Sequence, residues 1–227
     1  MDRRIVVDFA IPLGAAIFLT VVSYLTDADI EIESRFYSPL SGWFLGRANP
    51  WYWLYEYGNI PALLLSGGGL LVFVLSFFRR ELLSYRRIGL FFVAFMILGP
   101  GLLVNAGFKD HWGRPRPADI VNFGGTEVFR HAWEPGQPGR GKSFPSGHAS
   151  VGFFLFSPFF IFRKASRRWA AIFLVLGILY WALMGTGRMI QGGHFPTDVL
   201  WSGVITYITG LILYYIFKFD RISQPIG

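Results

Sequence analysis

Three short stretches of this chain gather the residue types that phosphoryl chemistry uses. The first is Lys109-Asp110-His111-Trp112-Gly113-Arg114-Pro115-Arg116-Pro117, with three cations inside eight residues. Its prolines stiffen the backbone around those cations. A guanidinium offers a planar fork of donors and an ammonium a mobile point charge. Lys109 and Arg116, with Arg114 as a further candidate, therefore suit the grip of an oxyanion. A solvated basic loop would carry the same residues. The second stretch is Ser143-Phe144-Pro145-Ser146-Gly147-His148. A Ser-Gly pair leading into a helix turns backbone N–H groups toward a ligand, so Ser146 and the Gly147 N–H are candidate phosphate contacts. His148 adds a titratable imidazole, although a histidine at a helix start also serves as a cap or packing residue. The third stretch carries Gly187-Arg188, then His194 and Asp198. If the segment is helical, the spacing of His194 and Asp198 puts them on one face. There the carboxylate can orient the imidazole and hold its tautomer. Asp198 as a plain cap on the next helix, beside an unrelated histidine, is the competing reading.

What the chain lacks narrows this chemistry. It has no Cys, which removes disulfides, thiolate metal sites and a Cys nucleophile. His111 and His131 read as loop residues. Zinc is the rival use of His and Asp, but no two histidines lie at a short ligand spacing and the neighbouring cations oppose a divalent ion. Neither a metal nor another cofactor is expected. The net charge of +7 raises nucleic acid as a partner. The basic residues instead sit in short patches between apolar runs, which is a membrane pattern, so nucleic acid is rejected.

The elements that must position these residues are membrane helices. Hydrophobic residues make up 53% of the chain and charged residues 15%, against about 25% charged in soluble domains. A chain of this size cannot hide that much apolar surface in its own interior. Six apolar runs are visible, at 5–25, 60–78, 88–108, 149–162, 169–184 and 199–217. Four approach the ~20 residues a helix needs to cross a bilayer. The fourth and fifth reach that length if their outer ends continue into polar turns buried in protein. The first run is too long for a signal-peptide core and is read as a retained helix. The expected fold is one all-α membrane domain over residues 1–227, a bundle of six transmembrane helices.

Lys and Arg set the orientation. Arg3, Arg4, Arg79, Arg80, Arg86, Arg87, Arg163, Lys164, Arg167, Arg168, Lys218 and Arg221 fall on one side, which the positive-inside rule assigns to the cytoplasm. Both termini are then cytoplasmic, and all three polar stretches emerge on the opposite face. The first outer loop, 26–59, is rich in Trp, Tyr and Phe. Such residues favour the headgroup zone, so a segment lying along the interface is expected, with packing over the helix ends as the alternative.

The spacing Lys109-x6-Arg116-Pro117, Pro145-Ser146-Gly147-His148 and Arg188-x5-His194-x3-Asp198 resembles the three-part signature of the type 2 phosphatidic acid phosphatase family, the lipid phosphate phosphatases related to vanadium haloperoxidases. The family usually has Ser directly before the Arg of the third motif, where this chain has Gly187. That puts one minor phosphate contact in doubt. The run Gly-Arg-Pro-Arg-Pro, followed by Phe123-Gly124-Gly125, looks like bacterial members acting on lipid A or phosphatidylglycerol phosphate. The resemblance implies that His194 is the nucleophile, forming a phosphohistidine, and that Asp198 orients it. It implies that His148 protonates the leaving oxygen and later activates water. Lys109, Arg116, Arg188, Ser146 and Gly147 would hold the phosphate, with no metal.

The implied activity is phosphate removal from a phospholipid or glycolipid at the periplasmic face of the bacterial inner membrane. Candidate substrates are lipid A, phosphatidylglycerol phosphate, undecaprenyl pyrophosphate and phosphatidic acid. A lipid phosphotransferase would use the same intermediate. A non-enzymatic binder of anionic lipid would need the cations but not the His194–Asp198 pair.

Overall fold

The structure, a computed structural model, describes residues 3–221. Both chain ends, assigned above to the cytoplasm, lie outside the described residues. The described residues are all-helical, without a β-strand. In chain order the helices are α1 (Arg3–Thr26), α2 (Ala28–Ser34), α3 (Trp51–Tyr57), α4 (Ile60–Leu75) and α5 (Arg86–Met96). α5 continues as a π-helix, Ile97–Lys109. Then follow α6 (Gly147–Phe154), α7 (Pro158–Ala165), α8 (Arg167–Ile190) and α9 (Pro196–Ile216).

Five stretches among the described residues are long and apolar enough to cross a membrane: Ile5–Thr26, Trp51–Leu75, Arg80–Asp119, Arg167–Ile190 and Pro196–Ile216. The fourth apolar run folds instead as the pair α6 and α7, broken at Pro158. Proline has no N–H to continue the hydrogen-bond ladder, and its ring displaces the carbonyl a turn earlier. The fifth run gains its length as the polar-turn argument requires. α8 runs on to Ile190 and carries Arg188 in its last turn.

Pro100 has a related effect on the third run. The helix widens around it, and Asn105 Nδ2 donates to the Pro100 carbonyl at 2.7 Å. Insertion of a side chain into the backbone ladder accompanies such widened turns. Lys109 ends this wide segment, so the π-turn sets the direction from which the lysine approaches the site.

α9 is the central helix. It packs against α1, α5, the π-helix, α6, α7 and α8. Half of its apolar window is buried, against 11% for α1, which therefore turns most of its surface outward. The core around α9 is largely aromatic, with Phe91, Phe95, Phe154, Phe156 and Phe160 almost fully buried. α4 joins through a close backbone contact with α5. A Cβ at Gly89 would lie 2.5 Å from the Gly69 carbonyl oxygen, so only glycine permits this approach.

In the first outer loop Tyr37 and Trp43 pack with Phe123 in a cluster of tilted rings, Trp43 meeting Phe123 edge-on, whereas Phe44, Tyr52, Trp53 and Tyr57 are each about half exposed.

Candidate active site

His194 sits in the short turn between α8 and α9 and is 1% exposed. Its Nδ1 lies 2.5 Å from the Ser143 carbonyl oxygen. A carbonyl can only accept, so Nδ1 carries the ring proton and Nε2 keeps its lone pair. Asp198 lies in the first turn of α9. Its Oδ2 accepts from the Phe195 N–H at 2.7 Å, capping the helix, and from Ser143 Oγ at 2.5 Å. The same oxygen is 3.9 Å from His194 Nδ1, beyond hydrogen-bond distance. Ser143 thus links the two. Its hydroxyl is fixed by Asp198 and its carbonyl fixes the imidazole.

Arg114 lies behind this pair and is fully buried. Nη1 reaches Asp198 Oδ1 at 2.5 Å and Thr197 Oγ1 at 2.9 Å. Nη2 reaches Asp29 Oδ2 at 2.7 Å, and Nε donates to the Arg130 carbonyl at 2.8 Å. The guanidinium also stacks 4.3 Å from the centre of the Phe195 ring. Every nitrogen of this arginine is engaged by protein, so the structure separates it from the cations considered for phosphate. Asp29, on α2, also accepts from the Thr197 N–H and hydroxyl. Close by, Glu33 is fully buried, and neither carboxyl oxygen has a partner among the described residues. Burial, then Asp198 and Asp29, push its pKa well above the usual carboxylate value.

The other cations are arranged differently. Among the described residues no carboxylate forms an ion pair with Lys109, Arg116 or Arg188. Nε of Arg116 and Nε of Arg188 are buried with no hydrogen-bond partner. Such orphaned donors are costly unless an acceptor reaches them. Arg188 lies 4.7 Å over the Tyr55 ring, and its Nη1 donates to Gln191 Oε1. Gln191 Nε2 in turn donates to the Gly46 and Trp51 carbonyls, at 3.2 and 3.3 Å.

Ser146 caps α6 through its hydroxyl oxygen, which accepts from the Ala149 N–H at 3.4 Å. The Gly147 N–H, first in the helix, has no protein acceptor among the described residues. A Cβ at Gly147 would lie 2.4 Å from Asn105 Oδ1 and 3.2 Å from Lys109 Nζ. Glycine here lets the lysine reach the helix start.

His148 follows in α6. It stacks on Tyr55 with ring centres 5.0 Å apart. Burial, then Arg188 and Lys109, push its pKa down to about 4. The same causes in the same order hold His194 well below the usual imidazole value. Both rings are therefore neutral at pH 7, and the two share one set of cations.

The structure brings His194, His148, Lys109, Arg116, Arg188, Ser146 and Gly147 to one end of the bundle, with Asp198 behind His194. Four participants were missed from sequence: Asp29, Ser143, Tyr55 and Gln191. Asp29 and Tyr55 belong to the first loop, with no motif to mark them. Ser143 stood inside the second stretch, but its main role runs through a backbone carbonyl. Gly187 has room for a side chain, since a Cβ there would meet Trp51 at an ordinary 3.6 Å.

Comparison with known proteins places the chain in a family. The model of the PAP2 superfamily matches residues 89–222, which hold all three motifs. A Francisella tularensis subsp. novicida protein named lipid A 4'-phosphatase is 31% identical over 219 residues, covering 93% of this chain and 94% of that protein. A Bacteroides thetaiotaomicron protein of the same name is 26% identical, covering 86% of this chain and 80% of its own length. One from Rhizobium leguminosarum is 34% identical over 122 residues, or 52% of this chain and 48% of that protein. No solved structure matches the chain.

Proposed function

This chain belongs to the PAP2 superfamily and is a membrane lipid phosphatase, and on that premise we propose that it removes phosphate from a lipid A-type glycolipid through a phosphohistidine on His194. The observation that carries the mechanism is the pair of orphaned guanidinium nitrogens beside two neutral imidazoles. A phosphate monoester supplies the acceptors that Arg116 and Arg188 lack, with Lys109 and the Gly147 N–H on its remaining oxygens. These fixed charges stabilise the transition state, because the transferring phosphoryl spreads its charge over those oxygens.

His194 attacks through Nε2, forming an N–P bond as the P–O bond to the leaving group breaks. Asp29 holds Arg114; Arg114 holds Asp198; Asp198 holds Ser143; the Ser143 carbonyl fixes the ring that attacks. His148 gives its proton to the leaving oxygen, then takes one from the water that splits the N–P bond. In the free protein His148 holds no proton at neutral pH. The incoming phosphate offsets the charges of Arg188 and Lys109 and so raises the affinity of His148 for a proton. Binding and acid formation are thereby coupled.

The family and the full-length match to the Francisella protein support the substrate class. The pattern of Lys and Arg supports six crossings of the bacterial inner membrane, the fourth being the broken pair α6–α7. Both termini would be cytoplasmic and the site periplasmic. The exposed half of the first-loop aromatics would lie in the interface. The decisive experiment uses purified protein and lipid A labelled in its phosphate, quenched during turnover. Label recovered on His194, and free phosphate lost by at least about three decades in His194→Ala, are expected. Retention of a tenth of the activity by that variant would exclude His194 as nucleophile.

A further inference from the structure

Beside the phosphate cations lies a second feature that the mechanism does not use. The first loop and the end of α8 enclose an open cleft of about 660 Å³. That is within the ~300–1,000 Å³ of ordinary small-molecule sites. Two of its walls are residues already tied to the chemistry. Tyr55 stacks on His148. Gln191 binds the Arg188 guanidinium. The remaining wall interleaves aromatic faces with a charge: Trp43, Phe44, Tyr52 and Arg47.

Position and lining together suggest the occupant. The leaving oxygen must touch His148, so the alcohol part of the substrate departs on the side where His148 meets Tyr55. An acyl tail would need a continuous apolar wall and gains nothing from a guanidinium or an amide. A sugar ring fits the mixture. Its C–H faces pack on aromatic rings, while its hydroxyls and amide bond Arg47 and Gln191. The ring edges also sit at the end of the bundle where a headgroup stands above its tails.

We infer that this cleft is a subsite for the hexosamine ring that bears the scissile phosphate. The inference rests on the lipid A reading above, since lipid A is an acylated glucosamine disaccharide. It turns the first loop from a cover over helix ends into the element that separates glycolipid phosphates from glycerolipid phosphates.

The test measures kcat/KM for a glucosamine-based lipid phosphate and for dioleoyl phosphatidic acid in the same micelles. Phe44 and Tyr52 are 50% and 46% exposed, so truncating them removes cleft wall rather than core. In Phe44→Ala/Tyr52→Ala the ratio of glycolipid to phosphatidic acid turnover is expected to fall at least tenfold. Arg47→Gln should lower the same ratio and serves if the double variant does not fold. Equal loss on both lipids, with the wild type cleaving the glycolipid, would overturn the subsite and leave the substrate reading intact. A wild type that cleaves phosphatidic acid and p-nitrophenyl phosphate but not the glycolipid would overturn both.

Discussion

Two charge clusters lie back to back in this protein, and they obey opposite rules. Behind His194, Arg114 is locked between Asp29 and Asp198 with every nitrogen satisfied. In front of it, Lys109, Arg116 and Arg188 have no carboxylate partner among the described residues. Arg114 and Arg116 stand two positions apart in one proline-rich run, yet one belongs to each cluster. Buried charges are tolerable when paired and hydrogen-bonded, and costly otherwise. The rear cluster meets that condition internally and so fixes geometry. The front cluster leaves it unmet until an anion arrives, and burial, reinforced by its cations, meanwhile keeps the nearby imidazoles neutral.

Substitutions across the two clusters should therefore fail in different ways. The largest effect is expected for Arg114→Met, which strands two buried carboxylates. Removing one partner of such a group costs about 3–5 kcal/mol. Thermal unfolding in detergent should show a strongly lowered Tm or no folded protein at all. A stable, selectively inactive Arg114→Met would move this arginine to the front cluster.

Arg116→Met should do the reverse. It removes a charge that faces no carboxylate, so the protein should fold. Losing one transition-state donor should lower kcat by about 10²–10³. Steady-state kinetics beside a melting curve separates these outcomes, and a loss of folding comparable to Arg114→Met would erase the distinction.

A smaller effect concerns proton affinity. Lys109 is one of the charges that hold His148 down to about 4. Removing a positive charge favours the protonated ring, so Lys109→Met should raise the His148 pKa toward the ordinary imidazole value of about 6.5. The wild-type ring should titrate near 4 and the variant ring at higher pH, as followed by histidine NMR. An unmoved titration would show that Lys109 has no part in setting the value and leave it to burial and Arg188.

The smallest effect belongs to Glu33. One guanidinium faces two carboxylates in the rear cluster, so a third buried acid is best kept protonated. Glu33→Gln mimics that form and should change stability by less than about 1 kcal/mol. A large loss would mean that Glu33 is charged in the folded protein and that the rear cluster needs another cation.

The sequence by itself determined a good deal. Apolar runs near the length that spans a bilayer mark α1, α4, α5 and α9, and a shorter run marks α8, because backbone groups in lipid must be satisfied within the helix. The spacing of Lys109, Arg116, His148, Arg188 and His194 marked the residues that now share one end of the bundle. Tertiary structure decided what spacing cannot express. The break at Pro158 and the wide turns around Pro100 depend on which groups satisfy the interrupted backbone ladder, as Asn105 does at the Pro100 carbonyl. A hydrogen bond through a backbone carbonyl, as from His194 to Ser143, leaves no trace in residue type. Arg114 and Arg116 are chemically identical, and only burial distinguishes them. The Asp29–Arg114 bond spans 85 positions and joins α2 to the loop after the π-helix, beyond the reach of any local pattern.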